Sequence, residues 1–169
     1  MQETFIRDER PGDEPAIEEL TRAAFLGHPH SGGAEHLIVN ALRRSGALTI
    51  SLVAERAGQV AGHAAFSPVS ISDGSTGWFG LGPVSVLPAM QNQGIGQALV
   101  RAGLERLRAM GARGCVVLGE PSYYSRFGFI HAPDLVLPDV PQEYFQCLAF
   151  GTAVARGKVS YHPSFGVQE

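Results

Sequence analysis

At 169 residues the chain is long enough for one well-formed core and short for two ordinary domains, so residues 1–169 are expected to form a single domain. Hydrophobic residues make up 44% and charged residues 17%, with a net charge of −3; this fits a globular domain and disfavours nucleic acid as a partner, the longest basic run being Arg43–Arg44. The opening "MQETFIRDERPGDEP" lacks an apolar h-region, no stretch approaches the ~20 apolar residues of a membrane helix, and Cys115 and Cys147 stand far apart without a CxxC, so the expected setting is a reducing cytoplasm with no membrane contact.

In chain order, "TFIRDER" reads as a first strand, broken by "PGDEP". Asp13 takes the place of an N-cap, Pro15 falls in the first turn, and Ile17, Leu20, Ala24 and Phe25 recur on one helical face. "GHPHSGG" is a loop. A second helix follows in "AEHLIVNALRRSG", with Leu37, Ile38, Ala41 and Leu42 sharing a face and Gly46 ending it. "LTISLVAER" and "VAGHAAFSPVSIS" are strands joined through Ala57-Gly58-Gln59, a glycine-containing hairpin turn. Asp73-Gly74 marks another turn, and "GWFGLGPVSV" is a further strand. The centre of the chain is an antiparallel meander.

The pattern changes after residue 90. From Gly94 to Met110, Gln97, Arg101, Glu105 and Arg108 form one polar stripe, while Ile95, Ala98, Leu99, Ala102 and Met110 lie opposite, with Arg106 an exception. Gly111 ends this helix. "CVVLG" is a short strand with no polar face, as expected for one buried on both sides. A strand, loop, helix and strand of this length make a right-handed crossover, so these two strands should run parallel. "VARGKVSYHPSFGVQE" reads as a last strand or two. The expected fold is α/β: a mixed, mostly antiparallel sheet with a central parallel pair and helices packed on it.

"QNQGIGQALV" joins a strand to a helix through two glycines. Glycines let a backbone come close to a ligand, and the helix start presents unpaired N–H groups at the positive end of its dipole. A Walker loop requires GK[ST], where this chain has Gly96-Gln97-Ala98. A dinucleotide fingerprint requires a third glycine where Leu99 stands; Glu120, near the end of the next strand, occupies the place of a ribose-binding acid, but such units begin a parallel sheet.

"VSVLPAMQNQGIGQALV" resembles motif A of the GNAT superfamily of acyl-CoA-dependent N-acetyltransferases, Q/R-x-x-G-x-G/A, here Gln91-Asn92-Gln93-Gly94-Ile95-Gly96. "EPSYYSRFGF" resembles the later Tyr-x-x-x-Gly-Phe motif of that superfamily through Tyr124, Gly128 and Phe129. The hairpin before these motifs and "VSYHPSF" after them are similar to a bacterial branch known only as predicted N-acetyltransferases. The resemblance covers nearly the whole chain and implies a GNAT fold in which the parallel strands splay apart.

It also implies transfer of an acetyl group from acetyl-CoA to a primary amine of a small molecule or peptide. The cofactor pyrophosphate would rest on the N–H groups of Gln91, Asn92, Gln93, Gly94, Ile95, Gly96 and Gln97, with the pantetheine along Val84, Ser85 and Val86, and Arg126 within reach of a phosphate. Tyr124 stands at the family position of the general acid that reprotonates the thiolate; Tyr123 has the same chemistry and should point elsewhere. Many relatives place a glutamate on the strand before motif A, whereas "GLGPVSV" has no acid. Glu35, His36, His63 and Glu120 are the candidate bases, and a water relay or a neutral acceptor would need none. "HPHSGGAEH" concentrates histidines at spacings that match no defined metal site, so no metal is expected. Homodimers are common in the superfamily and are one expected assembly. The missing acid also leaves open a non-catalytic acyl-CoA sensor on the same fold.

Overall fold

The computed structural model describes residues 3–28, 31–152 and 154–167. The first strand, β1 (Thr4–Asp8), is followed by helices α1 (Glu14–Phe25) and α2 (Glu35–Ser45). Next come β2 (Ile50–Arg56), β3 (Gln59–Pro68), the short β4 (Ser70–Ile71) and β5 (Trp78–Val86). Then follow α3 (Ile95–Ala109), β6 (Gly114–Leu118), the one-turn α4 (Pro121–Tyr124), β7 (Leu135–Val136), β8 (Phe145–Ala149) and β9 (Gly157–Ser160). Six strands make the main sheet in the order β1-β2-β3-β5-β6-β8, and β4, β9 and β7 form a smaller one. Every pairing in the main sheet is antiparallel except β5 with β6, which is parallel as the crossover requires. The mixed α/β class and the parallel pair read from the sequence are both present.

The hairpin between β2 and β3 turns on Ala57 and Gly58 at φ 52° and 76°, the left-handed pair that a two-residue loop needs to match strand twist. Gly46 ends α2 at φ 77°, and its N–H bonds the Arg43 carbonyl. Asp13 stands at the head of α1 but does not cap it. Its carboxylate accepts from the Arg10 N–H at 2.6 Å and from the Arg7 guanidinium at 2.8 and 3.1 Å, which ties α1 to β1 instead. The buried face of α2 is His36, Val39 and Leu42; of the expected Leu37, Ile38, Ala41 and Leu42 only Leu42 is fully buried, and the other three are half-buried. The helix packs against α1 and the sheet at once, and so turns this stripe inward. β7 and β8 are not evident from the sequence; "FQCLA" is too short to show an alternation.

Helices cover both faces of the main sheet. α3 buries Ile95, Leu99, Val100, Gly103, Leu104 and Leu107 against Phe66, Leu81 and the alternate residues of β2 and β6. Arg106, anomalous in the sequence pattern, is exposed and pairs with Asp8 at 2.8 Å; Met110 is exposed just past the helix rather than buried. On the opposite face, Ile17 of α1 and Val39 of α2 pack against Val53 of β2. Further along that face lies a second cluster around Trp78, Val116, Phe145 and Val159. Cys115 and Cys147 are buried free thiols.

Gly103 marks the closest approach of α3 to the sheet, because a Cβ there would lie 2.1 Å from Cε1 of Phe66. Phe66 is wholly buried and has nowhere to retreat. Gly103→Val should therefore lower stability by about 2 kcal/mol through overpacking. The urea midpoint should fall with little change in its m-value.

Candidate active site

The site begins where β5 and β6 part. Their register runs from Trp78↔Gly114 to Leu81↔Val117, and there it stops. Beyond it, Val84, Ser85 and Val86 pair only with β3, while Leu118 pairs with Phe145 on β8. Pro83 lies just past the last pair, where its lack of an N–H leaves the ladder no donor. The Leu87 N–H donates to the Ala61 carbonyl on β3 at 2.9 Å. By the two-residue period, Val86 and Val84 turn their main-chain groups the other way, into the gap. There the Gln91 side-chain amide donates to the Val86 carbonyl at 3.2 Å. The main chain of Ser85 faces β3, so the expected segment divides between the two sides.

The glycine loop lies at one end of this gap. Asn92 and Gly94 both adopt left-handed φ, 64° and 84°, with Gln93 between them. Asparagine is among the few side chains that tolerate this region. Gly94 is the N-cap of α3 and has no side-chain cap, so the first N–H groups of the helix point outward unpaired. Gln91, Asn92, Gln93 and Gly94 are exposed, and the Gln93 side chain accepts from Arg56. Ile95 is buried and anchors the loop, and a Cβ on Gly96 would stand 3.7 Å from Val86 and 3.1 Å from the Tyr123 hydroxyl. Gln97 follows in the first turn.

α4 continues from the end of β6 and brings in the aromatic wall. A Cβ on Gly119 would be 2.4 Å from the Tyr124 ring, so that glycine lets Tyr124 lie against the strand end. Tyr124 packs edge-on to Tyr123 at 5.0 Å and to Phe129 at 6.0 Å. Burial, with smaller contributions from Tyr123 and Cys115, pushes the Tyr124 phenol up to about 12. Tyr123 points elsewhere than Tyr124: its hydroxyl reaches Gly96 in the loop. Its ring lies under Arg126 at 4.7 Å, and the Arg126 Nε donates to the Tyr123 carbonyl at 2.8 Å. Arg101 stacks on Phe127 at 5.0 Å on the same side. Arg126 and Arg101 therefore add positive charge beside a loop of outward N–H groups.

The candidate bases do not converge. Glu120 is exposed at the head of α4. Glu35 accepts from Ser31 Oγ at 2.7 Å, and with His36 it lines a cavity of about 370 Å³ between the end of α1 and the start of α2. His63 alone lies beside β5, in register with Ser85. It is fully buried on the α1/α2 face and its Nε2 is 2.8 Å from Ser51 Oγ. In the "HPHSGGAEH" segment, Pro29 and His30 lie outside the described residues; among the described residues no group of three His, Cys, Asp or Glu is placed to hold a metal.

Tyr161, in the "VSYHPSF" stretch, is not among the expected site residues, yet its ring fills the space left by Gly80, where a Cβ would be 2.4 Å away, and stacks on Phe165 at 4.9 Å. Burial pushes its hydroxyl up, and Tyr124 is within electrostatic reach. The turn Pro163–Gly166 carries this residue's neighbours onto α2.

A parallel pair that opens beside a glycine-loop helix, with a tyrosine at the end of the second strand, is the architecture of the acyl-CoA-dependent N-acetyltransferases. The chain belongs to the Acetyltransferase (GNAT) family, whose sequence model matches residues 14–129. Over 126 residues it is 42% identical to the uncharacterized N-acetyltransferase YhbS of Escherichia coli strain K12, spanning 74% of this chain and 72% of YhbS. The crystal structure of a GNAT family acetyltransferase from Brucella melitensis in complex with acetyl-CoA matches at 53% identity with a TM-score of 0.87, covering 98% of this chain and 99% of that one. The crystal structure of Escherichia coli YhbS in complex with CoA matches at 36% identity with a TM-score of 0.89, covering 99% and 94%.

One consequence of the buried imidazole is open to measurement. Burial lowers His63 from 6.5 to about 4, so between those values the unfolded chain binds a proton that the native state refuses. Acidification across that window therefore destabilises the fold, by about 1.4 kcal/mol per pH unit and about 3 kcal/mol in all. Urea unfolding at pH 7, 5.5 and 4.5 should show this slope, and His63→Gln should flatten it.

Proposed function

We propose that residues 1–169 act as one acetyltransferase domain that moves the acetyl group of acetyl-CoA directly to a primary amine of a small molecule or peptide. The observation that carries this reading is the parting of β5 from β6 after Leu81 and Val117, next to an uncapped helix start. The complex of the 53%-identical Brucella melitensis protein with acetyl-CoA supports it. The pyrophosphate lies on the N–H groups of residues 91–97, with Arg126, Arg101 and the Tyr123 hydroxyl beside it. The pantetheine runs along the main chain of Val84 and Val86. An extended ligand there restores the bonds that the missing strand partner would have made, which removes the cost of a buried open edge. The Gln91 side chain, now on the Val86 carbonyl, gives way to it.

The thioester carbonyl then faces strand N–H groups, which stabilise the oxyanion as the amine attacks. The C–N bond forms, the C–S bond breaks, and the departing thiolate takes the Tyr124 hydroxyl proton. Burial keeps that phenol protonated through neutral pH, and the same dry groove raises the thiolate's own proton affinity, which favours the transfer. The amine enters from the α1/α2 side, past the cavity lined by Arg22, Phe25, Glu35 and His36. The setting is the cytoplasm, consistent with two buried free thiols.

Acetyl-CoA or CoA at ~100 times its dissociation constant should stabilise the protein by about 2.7 kcal/mol in a thermal-shift titration, with no shift for NADH. The opposite pattern would return the loop to a dinucleotide. Tyr124→Phe should lower kcat about 100-fold and leave the acetyl-CoA dissociation constant within about threefold, by single-turnover assay and calorimetry. An unchanged kcat removes Tyr124 from the chemistry. A parent that binds acetyl-CoA but acetylates no amine would make the domain a sensor.

A further inference from the structure

The strand preceding the glycine loop carries no acid, yet the face of the sheet on the acceptor side holds a row of polar groups that the reaction above does not use. Val53 on β2, His63 on β3 and Ser85 on β5 are paired in register across three strands. Val53 packs against Ile17 and Val39, which fixes this row on the α1/α2 face. Ser51, two residues before Val53 on β2, shares that face. In the middle of a covered sheet such a row is expected to be apolar, and an unpaired polar atom there costs about 1–3 kcal/mol. Both His63 Nδ1 and Ser85 Oγ are buried with no hydrogen-bond partner. Cross-strand partners have Cβ atoms about 5 Å apart, so one turn of the Ser85 side chain brings these two orphans together.

The other end of the histidine is fully engaged. Ser51 Oγ donates to Glu9 Oε1 at 2.8 Å, and His63 Nε2 is 2.8 Å from the same Ser51 oxygen. A serine has one proton, here committed to an acceptor-only carboxylate, so Nε2 must be the imidazole N–H and Nδ1 the bare lone pair. Glu9 is held in turn by Arg43, whose Nε and Nη2 donate at 2.9 and 2.7 Å, and Arg43 Nη1 donates to Asn40 at 2.8 Å. Glu9, Arg43 and Ser51 then line a cavity of about 250 Å³ with Asp8, Leu48 and Thr49, whose rim at Gly46 and Thr49 is exposed. A line of donors and acceptors thus runs from His63 through Ser51 and Glu9 to solvent on the far side of α2, and a turn of the Ser85 side chain toward Nδ1 would extend it to the strand beside the gap.

We propose that Ser85, His63, Ser51 and Glu9 form a proton relay that takes a proton from the acceptor ammonium and delivers it to the cavity at Glu9; this rests on the acetyltransferase reading above. Ser85 Oγ takes a proton from the ammonium as it gives its own to His63 Nδ1. The Nε2 proton passes to Ser51 Oγ, and the Ser51 proton passes to Glu9 Oε1 and out to water. One proton leaves the amine, one reaches solvent, and each intermediate group ends with as many as it began. His63 changes tautomer without ever holding a full charge. That suits its surroundings, because burial opposes an imidazolium there while Glu9 and Asp13 favour one and Arg43 opposes it. Burial pulls the Glu9 carboxyl up, but Arg43 and Ser51 more than offset this and hold it ionised, ready to accept and quickly release. The relay removes the need for an acid on β5.

Two measurements test it. Nitrogen-15 labelling of the histidines reads the His63 tautomer in the parent protein without any substrate. A bare Nδ1 with a protonated Nε2 at pH 7 is expected; an Nδ1–H tautomer or an imidazolium overturns the relay. For turnover, the probes are acetyl-CoA with spermidine, tyramine or a lysine-bearing hexapeptide, the fastest acceptor being carried forward. His63→Gln and the milder Ser51→Ala should each lose about 100-fold in kcat/KM at pH 7. The loss should shrink about tenfold per pH unit as the amine loses its own proton, with acetyl-CoA affinity unchanged. A loss that is equal at every pH marks a structural role and overturns the relay, as does no loss. A parent that binds acetyl-CoA yet acetylates none of the three amines overturns the acetyltransferase reading and the relay together. An active parent with insensitive variants overturns the relay alone.

Discussion

Everything distinctive in this molecule depends on an interrupted hydrogen-bond ladder. A parallel pair in the middle of a sheet is ordinarily paired along its length, and a buried strand edge is among the more expensive things a protein can contain. Here the pairing of β5 with β6 ends after four residue pairs, and each strand leaves with a different antiparallel neighbour, β3 on one side and β8 on the other. The two flanking ladders hold the separation open, so the gap does not depend on a ligand to exist. α3 then rises from the loop at the end of β5 and sets its uncapped end against the opening. The aromatic turn at the end of β6 closes the other wall.

How much of this the sequence reveals follows from the range of each interaction. The glycine loop, its helix and the tyrosine turn are local patterns, and they are legible because a left-handed residue or an i, i+4 stripe leaves its mark within a few positions. The parallel pair is legible too, since a strand–helix–strand crossover permits little else. What escapes are the contacts made across the chain. Nothing near Tyr123 indicates that its hydroxyl will stand at Gly96, and nothing near Tyr161 indicates that its ring will lie on Gly80. His63 is visible as a histidine in a strand, but Ser51 and Glu9 look like ordinary polar residues until strand register brings them into line. The inward stripe of α2 is only partly legible for the same reason: Leu42 is buried as expected, but His36 and Val39 join it because the helix answers to α1 and the sheet together.

The two faces of the sheet have been filled by different rules. Against α3 the residues are apolar and tightly fitted, with glycines at 62 and 103 admitting the helix to within a side chain's thickness. Against α1 and α2 the same strands carry His63, Ser67 and Ser85, all buried, each with an unpartnered side-chain atom. The second face accepts an energetic penalty of the kind found where a surface must meet something polar.

β9 lies between β4 and β7, so Ser70 finds its partner only at Ser160. A contact that spans most of the chain closes late, because the loop entropy must be met before the pairing can repay it. Tyr161 reaches Gly80 only through the segment beyond residue 156, whereas the two parting strands and the glycine loop are complete by Leu118. The opening and the segment laid over Gly80 are therefore supplied by different stretches of the chain. Variation in that last segment can therefore alter the cover on Gly80 while leaving the parting strands and the glycine loop as they are.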